Sequence, residues 1–387
     1  MTRISLFVHD LHANPIGRAA PLAQALQRDY EVEVLGLLHG DGVYEPYRDL
    51  FEYRTIRCER DMTAVLPAIH RLAGMATGEV VYGFKPLVGS YGPALLASGF
   101  GRRRPLLLDV EDDEWVPMGA TWPAFIRRDL IGGWRHSTAW KYTRALHPFV
   151  SCADGVTVSS QALLRRYGGT VVRHGPDETF FDPAIQPEPL QARVRFGLPP
   201  DVPLLLFAGT PQPHKGLDVL CDALTDPRAW AWHLVLAGPE RLAPFEACVA
   251  RLGARCHRTG HLPYQEMPAL LAAVDAVPLP QLAVPFAESQ LPAKALDAMA
   301  MARALVASRV GDLPDLLGEG SRGWLVPPGD AGALAGALAE MAANPMERAR
   351  RGAAARDWFL AEASNRAIRA RLVPLIEQAR SAHRHRP

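Results

Sequence analysis

Short apolar runs alternate along the chain with segments of helical periodicity, which is the pattern of parallel strands covered by helices. In the first half the apolar runs predict strands at 4–8, 31–38, 80–84, 106–110, 155–159 and 170–173. Helical periodicity appears between them, for example at 18–28 and 63–72. The first half therefore predicts one doubly wound α/β unit.

A second series of the same kind follows. Its strands are predicted at 204–208, 233–237, 255–259, 276–279, 305–308 and 324–326, with helices near 216–224, 241–252, 264–273, 291–302 and 331–343. The proline-rich run at 181–202 predicts a linker or a surface excursion. We expect domains at 1–180 and 181–360 and a C-terminal helix at 361–387 that packs back toward the first domain. Ligands of such sheets bind at the carboxyl ends of the strands, here most naturally in a cleft between the two domains.

Composition narrows the class of protein. The 387 residues are 48% hydrophobic and 21% charged, and the net charge of +1 gives no pull toward nucleic acid. The five cysteines are scattered and lack C-x-x-C spacing, which predicts a reducing compartment, no disulfide and no zinc site. The start "MTRISLFVHD" is typical of a strand and not of a signal peptide. We expect a cytoplasmic protein, at most peripheral on the inner face of the membrane.

Lysine is scarce in this chain. Lys85, Lys141, Lys215 and Lys294 are the only lysines, and every other basic side chain is arginine or histidine. Because arginine is the default cation here, each retained lysine indicates a place that needs a compact point charge. Chance retention is the alternative interpretation.

Two common nucleotide-binding motifs are absent. A dinucleotide-binding turn needs G-x-G-x-x-G after a strand, whereas the first strand is followed by "HDLHANPIGRAAP". The turn "GTPQPHKG" gives Gly209 and Lys215 the spacing of a P-loop, but His214 and Gly216 replace the second glycine and the hydroxyl residue. This turn suits a phosphate at a helix N-terminus without being a P-loop, although a surface loop with an incidental lysine is the alternative.

An ordered series of segments follows in the second half: "LLLFAGTPQPHKGLDVLCDAL", "WHLVLAGPE", "RTGHLPYQEMPALLAAVDAVPLP", "PAKALDAMAMARALVASRVGDLPDLL" and "GWLVPPGDAGALAGALAEM". This series resembles the nucleotide-sugar-binding domain of the family four glycosyltransferases, which have the GT-B fold of two Rossmann-like domains facing each other across a cleft. The resemblance is dense from about 152 to 345. It implies a retaining glycosyltransferase that moves a sugar from a nucleotide-diphosphate donor to an acceptor hydroxyl, with no cofactor and no bound metal.

The resemblance assigns roles in the donor turn. Lys215, with Gly209, Thr210 and Gly216 around it, matches the diphosphate-binding lysine of the family. The family usually has an arginine where Thr210 stands, so the turn lacks one expected cation. Lys294, in the first turn of the helix in "ESQLPAKALDAMA", is the candidate replacement, because two phosphates would offset the unfavourable helix dipole. An ion pair between Lys294 and Asp297 is the competing interpretation.

The family signature here is a glutamate, seven residues, and a second glutamate before "A-M-A". Asp297 takes the second position and is expected on the nucleotide ribose. Glu288 lies one residue before the first position and is expected on donor-sugar hydroxyls if the loop shifts by one, with a rim carboxylate as the alternative. Backbone amides of Ser289, Gln290 and Leu291 are expected near the sugar or phosphate. The segment with His261 and Leu262 is expected to border the nucleobase.

Acceptor-side candidates lie in the first half. Asp10, Asn14 and Gly17 occupy the turn after the first strand, and Gly17 would permit close approach. Glu111 and Asp112, in "LLLDVEDDEW", are expected to bind acceptor hydroxyls or cationic groups, with a solvated acidic loop as the alternative. The aromatic and basic mixture at 115–149 suits a peripheral membrane contact, an acceptor cleft or core packing.

The acceptor itself stays open at this point: a carbohydrate, a lipid-linked glycan and a small molecule all fit. An alternative of a different class is a catalytically silent subunit of the same fold that binds sugar nucleotides. Thr210 and the displaced Glu288 are the features that keep this alternative open.

Overall fold

The computed structural model describes residues 1–13, 16–114, 136–239 and 241–385. The chain divides into two compact units, Met1–His174 with Asn365–Pro387, and Gly175–Ser364. Each unit has its own parallel sheet. The unit boundaries thus lie at 174 and 364, against the expected 180 and 360.

The first unit has a seven-stranded parallel sheet in the order β3-β2-β1-β4-β5-β6-β7. Its strands are β1 Arg3–Val8, β2 Glu31–Leu38, β3 Tyr53–Arg57, β4 Val80–Phe84, β5 Leu106–Val110, β6 Gly155–Val158 and β7 Thr170–Val171. The described helices before the second unit are α1 Ile16–Leu26, α2 Met62–Met75, α3 Tyr91–Ser98, α4 Trp140–Leu146 and α5 Gln161–Tyr167. Strand order reverses between β1 and β4, so the residues after Val8 and Phe84 meet at the carboxyl edge of the sheet.

Strand β3 was not predicted from the sequence. Its residues, YRTIR, are half-buried or exposed except for Ile56. Among the described strands, β3 is an edge strand that pairs with β2 alone. Since an edge strand faces solvent along one side, it needs no continuous apolar run, and its sequence pattern does not distinguish it from a loop.

The second unit has a six-stranded parallel sheet in the order β10-β9-β8-β11-β12-β13. Its strands are β8 Leu204–Ala208, β9 His233–Ala237, β10 Cys256–Gly260, β11 Ala276–Leu279, β12 Ala304–Ser308 and β13 Trp324–Val326. Its described helices are α6 Pro189–Arg195, α7 Leu217–Thr225, α8 Ala243–Leu252, α9 Met267–Ala273, α10 Pro285–Ser289, α11 Ala293–Ala300, α12 Leu313–Leu316, α13 Ala331–Ala343 and α14 Pro345–Glu362. One apolar cluster lies on each face of this sheet. Here the strand order reverses between β8 and β11.

The run at 181–202, predicted as a linker or surface excursion, contains helix α6. Arg193 on this helix is buried and donates hydrogen bonds to the carbonyl oxygens of Ala273 (3.0 Å) and Pro200 (2.6 Å). It also pairs with Asp275 at 2.7 Å. The prolines therefore bound a packed helix, and the interpretation as a linker is wrong for this helix.

The prediction that the chain contains no disulfide is also wrong. Cys221 on α7 and Cys248 on α8 form a disulfide, with their Cα atoms 6.0 Å apart. Both residues are 1% exposed, and the two helices pack side by side on one face of the sheet. Cys58, Cys152 and Cys256 are free thiols. The argument for a reducing compartment rested on unpaired cysteines and loses its basis.

The last helix, α15 Asn365–Arg384, belongs to the first unit. Its residues Ile368, Leu372 and Ile376 are fully buried in the cluster that also contains α1. Tyr30 donates a hydrogen bond to Glu377 at 2.7 Å, which ties the helix to the end of α1. No helix in the described ranges combines the length and apolar character that a membrane span requires.

Candidate functional site

The candidate site of the second unit lies at the carboxyl edge of its sheet, where strand order reverses. Three loops meet there: 209–216 after β8, 280–292 after β11, and 309–312 after β12. Gly216 adopts φ +67°, and a Cβ at this position would collide with the carbonyl oxygen of Pro280. The first two loops are thus in direct contact because residue 216 has no side chain.

Lys215 lies at the end of the first loop, directly before the glycine that starts α7. Its Nζ donates a hydrogen bond to the carbonyl oxygen of Thr210 at 2.7 Å. Burial lowers the pKa of Lys215 below its ordinary value. The lysine therefore sits on the loop backbone, without an ion pair among the described residues.

Lys294 is the second residue of α11, whose N-terminus has no side-chain cap. Its Nζ lies 5.0 Å from the centre of the Phe207 ring and 3.3 Å from the position that a Cβ on Gly209 would occupy. The loop 209–216 thus brings the two lysines together, because its first residue, Gly209, lies beside Lys294 and it contains Lys215. In the described part of the chain Lys294 forms no ion pair with Asp297, which was the competing interpretation.

The charges of this site are poorly compensated. Burial and, to a smaller extent, Lys215 lower the pKa of Lys294 to about 7, while Asp297 opposes the change. Burial also raises the pKa of Asp297 to about 7. His214 has its pKa lowered by burial and by both lysines. Two lysines of which neither forms an ion pair within the described residues are suited to an anionic ligand.

Unpartnered polar atoms mark the same edge. Five buried side-chain atoms in the described residues of the second unit have no hydrogen-bond partner: His214 Nε2, Arg255 Nη1, Thr259 Oγ1, Gln281 Oε1 and Ser308 Oγ. All but the Arg255 atom lie at or just beyond the carboxyl ends of strands or in the lysine loop. Each such atom costs about 1–3 kcal/mol. Their concentration at one edge indicates a place where a ligand supplies partners.

Glu288 is exposed on α10 and accepts a hydrogen bond from the backbone N–H of Gly311 at 2.9 Å. Gly311 has φ +54°, and a Cβ there would lie 2.9 Å from the Glu288 carbonyl oxygen. The loop after β12 therefore fixes the Glu288 carboxylate. The sequence offered no sign of this contact, because the two residues are far apart in the chain.

The remaining donor-side candidates differ in exposure. Ser289 is buried and donates from its hydroxyl to the Phe286 carbonyl at 3.1 Å. Leu291 is buried in the core, and Gln290 is half-buried. After β10, His261 is exposed and Leu262 packs against the core. The roles predicted for these residues stay predictions.

On the first unit, Lys85 follows β4 at the edge where that sheet reverses. Its Nζ lies 2.6 Å from Asp112, 3.1 Å from Glu114 and 3.3 Å from Glu111. The acidic segment after β5 is thus not a solvated loop, and that alternative is wrong. Burial raises the pKa of Glu111 to about 7 against the opposing effect of Lys85.

Other acceptor-side candidates are part of local structure. Asp10 is 3% exposed, pairs with Arg60 at 3.1 Å and accepts from the backbone of His12 at 2.9 Å. Gly17 is the second residue of α1 and is half-buried. Asn14 lies outside the described residues. Lys85 was not among the predicted site residues, although its rarity as a lysine was a signal that could have found it.

Comparisons with known proteins agree with this architecture. A family model described as glycosyl transferases group 1 matches residues 202–344. The chain is 28% identical over 309 residues to a GDP-mannose-dependent alpha-(1-6)-phosphatidylinositol monomannoside mannosyltransferase of Mycolicibacterium smegmatis, covering 72% of this chain and 80% of the relative. A D-inositol 3-phosphate glycosyltransferase of Xylanimonas cellulosilytica is 32% identical, and a 2-deoxystreptamine glucosyltransferase of Streptomyces kanamyceticus is 30% identical. The chain spans about half the length of these last two, 53% and 48%.

Solved structures show the fold. Sucrose-phosphate synthase of Thermosynechococcus elongatus superposes with a TM-score of 0.71 at 20% identity, over 99% of this chain and 100% of that chain. The Anabaena protein HepE, solved in complex with UDP, gives a TM-score of 0.72 at 17% identity, over 97% of this chain and 100% of that chain. These structures show that the chain has the two Rossmann-like domains of the GT-B fold. Residues 202–344 carry a glycosyl transferases group 1 domain, and together with the named relatives this domain identifies the chain as a glycosyltransferase.

Proposed function

We propose that this glycosyltransferase moves a sugar from a nucleotide-diphosphate sugar to an acceptor hydroxyl, with retention at the anomeric carbon. The observation that carries the proposal is the presence of Lys215 and Lys294 together at the carboxyl edge of the second sheet. Neither lysine forms an ion pair with a described residue. One relative is named with GDP-mannose, and one structural neighbour, HepE, was solved with UDP and with UDP-glucose, which supports a nucleotide-sugar donor.

The two lysines would act on the leaving group. When the bond between the sugar and the diphosphate breaks, negative charge develops on the phosphate oxygens. Preorganised cations at that point stabilise the transition state more than the ground state, which lowers the barrier. We propose that Lys294 supplies the cation that Thr210 does not, and that the reaction needs no bound metal.

Two carboxylates would orient the donor. Asp297, on the same helix as Lys294, is proposed to accept hydrogen bonds from ribose hydroxyls. Glu288, fixed by the N–H of Gly311, keeps a second oxygen for hydroxyls of the sugar. The acceptor is a carbohydrate, a lipid-linked glycan or a small molecule, and Asp10, Gly17, Glu111 and Asp112 remain its candidate contacts.

A thermal-shift screen of UDP, GDP, ADP and their sugars tests the proposal. A ligand at about 100 times its dissociation constant adds about 2.7 kcal/mol to the free energy of unfolding, so a bound donor raises the melting temperature by several degrees. The variant Lys215→Ala should lose most of this shift, whereas Lys141→Ala should keep it. If no nucleoside diphosphate shifts the melting temperature, the proposal is wrong.

The silent-subunit alternative is separated by turnover. An active enzyme releases nucleoside diphosphate from the donor without any partner protein, whereas a silent subunit binds the donor and leaves it intact. We expect release by the isolated chain, and we expect Glu288→Gln to slow it more than it weakens binding.

A further inference from the structure

A cavity of about 440 Å³ opens at the carboxyl ends of β9 and β10 in the second unit. Its lining combines the apolar side chains of Leu236, Pro239 and Phe245 with the polar side chains of Arg241, Glu246, Arg258 and Thr259 and the backbone of Gly238 and Gly260. A flat ring in this cavity would lie against the apolar side chains, with the polar groups at its edge. Such a lining is typical of a pocket for a nucleobase.

This cavity adjoins the lysine site. A Cβ on Gly238 would lie 3.0 Å from the carbonyl oxygen of Gly209, so the cavity wall contacts the first residue of the lysine loop. Phe245 in the cavity wall contacts Phe207 edge to face, with ring centres 6.2 Å apart. Phe207 is the ring under Lys294 Nζ, 5.0 Å away. One extended ligand therefore can place its phosphates on the lysines and its base in the cavity.

The polar groups of the cavity favour some nucleobases over others. Glu246 Oε1 accepts a hydrogen bond from Arg258 at 2.9 Å, which leaves Oε2 and the second lone pair of Oε1 for a ligand. That hydrogen bond holds the pKa of Glu246 below its ordinary value. At neutral pH the carboxylate is therefore ionised, and it accepts hydrogen bonds but donates none. Thr259 Oγ1 is buried and has no partner.

We propose that this cavity binds guanine and that Glu246 selects it, so that the donor is a GDP-sugar; this inference rests on the proposed function. Guanine presents two adjacent hydrogen-bond donors, N1–H and the N2 amino group. One carboxylate can accept a hydrogen bond from each of them. Its O6 and N7 are acceptors that match an arginine such as Arg241 or Arg258. Uracil places two carbonyl oxygens around its N3–H, which repel a carboxylate. Adenine has an acceptor at N1, which Glu246 also disfavours.

Isothermal titration of the full chain with GDP, UDP and ADP tests the inference. We expect GDP to bind about ten-fold or more tightly than UDP, as one bidentate base contact allows. Glu246→Gln should weaken GDP by about the same factor and leave UDP within about two-fold. The matched control is Asp222→Asn, which also removes an exposed pair with an arginine, Arg251, but does not line the cavity.

Each outcome decides one question. Equal or tighter binding of UDP or ADP overturns the guanine assignment and leaves the proposed function standing. A GDP preference that Glu246→Gln does not change overturns the role of Glu246 and therefore the inference. If no nucleoside diphosphate binds, or if Lys215→Ala binds all of them as the wild type does, the proposed function itself fails. Urea unfolding of both variants confirms that they are folded.

Discussion

Lys294 is predicted to lower the free energy of unfolding of the protein when no nucleotide sugar is bound. Its pKa falls from the ordinary 10.5 to about 7 because the side chain is desolvated and lies near Lys215. At about 1.36 kcal/mol per pKa unit, such a change corresponds to at most roughly 5 kcal/mol at neutral pH. The side chain is half-buried and therefore partly screened by water. We expect the variant Lys294→Met to gain about 1–3 kcal/mol of unfolding free energy at pH 7.

The two shifted pKa values determine whether the free energy of unfolding rises or falls with pH. Between pH 7 and 10.5 the unfolded chain keeps a proton on Lys294 that the folded chain releases, so wild-type stability rises with pH in this window. Asp297, whose pKa is raised from 3.8 to about 7, has the opposite effect between those values: the folded chain holds the extra proton, and stability falls as pH rises. The two groups together predict minimal stability near pH 7. Lys294→Met should remove the rise above it.

The assay is urea unfolding of wild type, Lys294→Met and the control Lys141→Met at pH 7 and pH 9, combined with GDP and UDP titration. Lys294→Met should be more stable at pH 7 and should lose about ten-fold or more in diphosphate affinity, the equivalent of a charged hydrogen bond of about 1.5–3 kcal/mol. Lys141→Met, which removes a cation 5.0 Å from the centre of the Tyr142 ring, should keep the diphosphate affinity and should show no gain in stability. A Lys294→Met protein that is less stable than the wild type and binds diphosphates equally well would refute the reasoning on both counts.

Three further predictions follow. Replacing Cys221 and Cys248 together by alanine opens a 27-residue loop and should lower unfolding free energy by about 3.5 kcal/mol; dithiothreitol should lower the melting temperature of the wild type but not of this variant. Lys85→Met leaves three carboxylates without their cation and should cost about 3–5 kcal/mol. That deficit in urea unfolding should be smaller at pH 5 than at pH 8, because Glu111, with its pKa raised from 4.5 to about 7, takes up a proton at low pH. Residues 115–135 of the membrane contact predicted at 115–149 lie outside the described structure. The contact predicts that the protein pellets with anionic vesicles, and if it does not pellet, the prediction is wrong.

The sequence allowed most of the strands to be predicted because both sheets are parallel and covered on two faces. Such strands are continuous apolar runs, as LLLFA in β8 and LLLDV in β5 show. Edge strand β3 and helix α6 escaped because their burial is partial or depends on distant partners. The disulfide escaped because its two cysteines lie on neighbouring helices, and only the packing of α7 beside α8 brings them together.

Side-chain partners across loops were the least predictable feature of the site. The position of Lys215 followed from the spacing of its turn, and that of Lys294 from its place in the first turn of a helix. The contact of Glu288 with Gly311 depends on the conformation of two loops that follow different strands. No local pattern encodes such a contact, since each loop alone is compatible with many conformations.

Three of the lysines show how much of a residue's role can be predicted from its residue type alone. Lys85, Lys215 and Lys294 all lie beside the carboxyl end of a strand at a point where strand order reverses, which fits the expectation that rare lysines occupy special positions. Their electrostatic surroundings nevertheless differ. Lys85 is already surrounded by three carboxylates, whereas Lys215 and Lys294 form no ion pair within the described residues, and Lys215 helps to lower the pKa of Lys294. The same side chain therefore holds acidic residues together in one unit and is open to a ligand in the other. Because the carboxylates of Lys85 come from a different strand end, the sequence could indicate the position of each lysine but not its role.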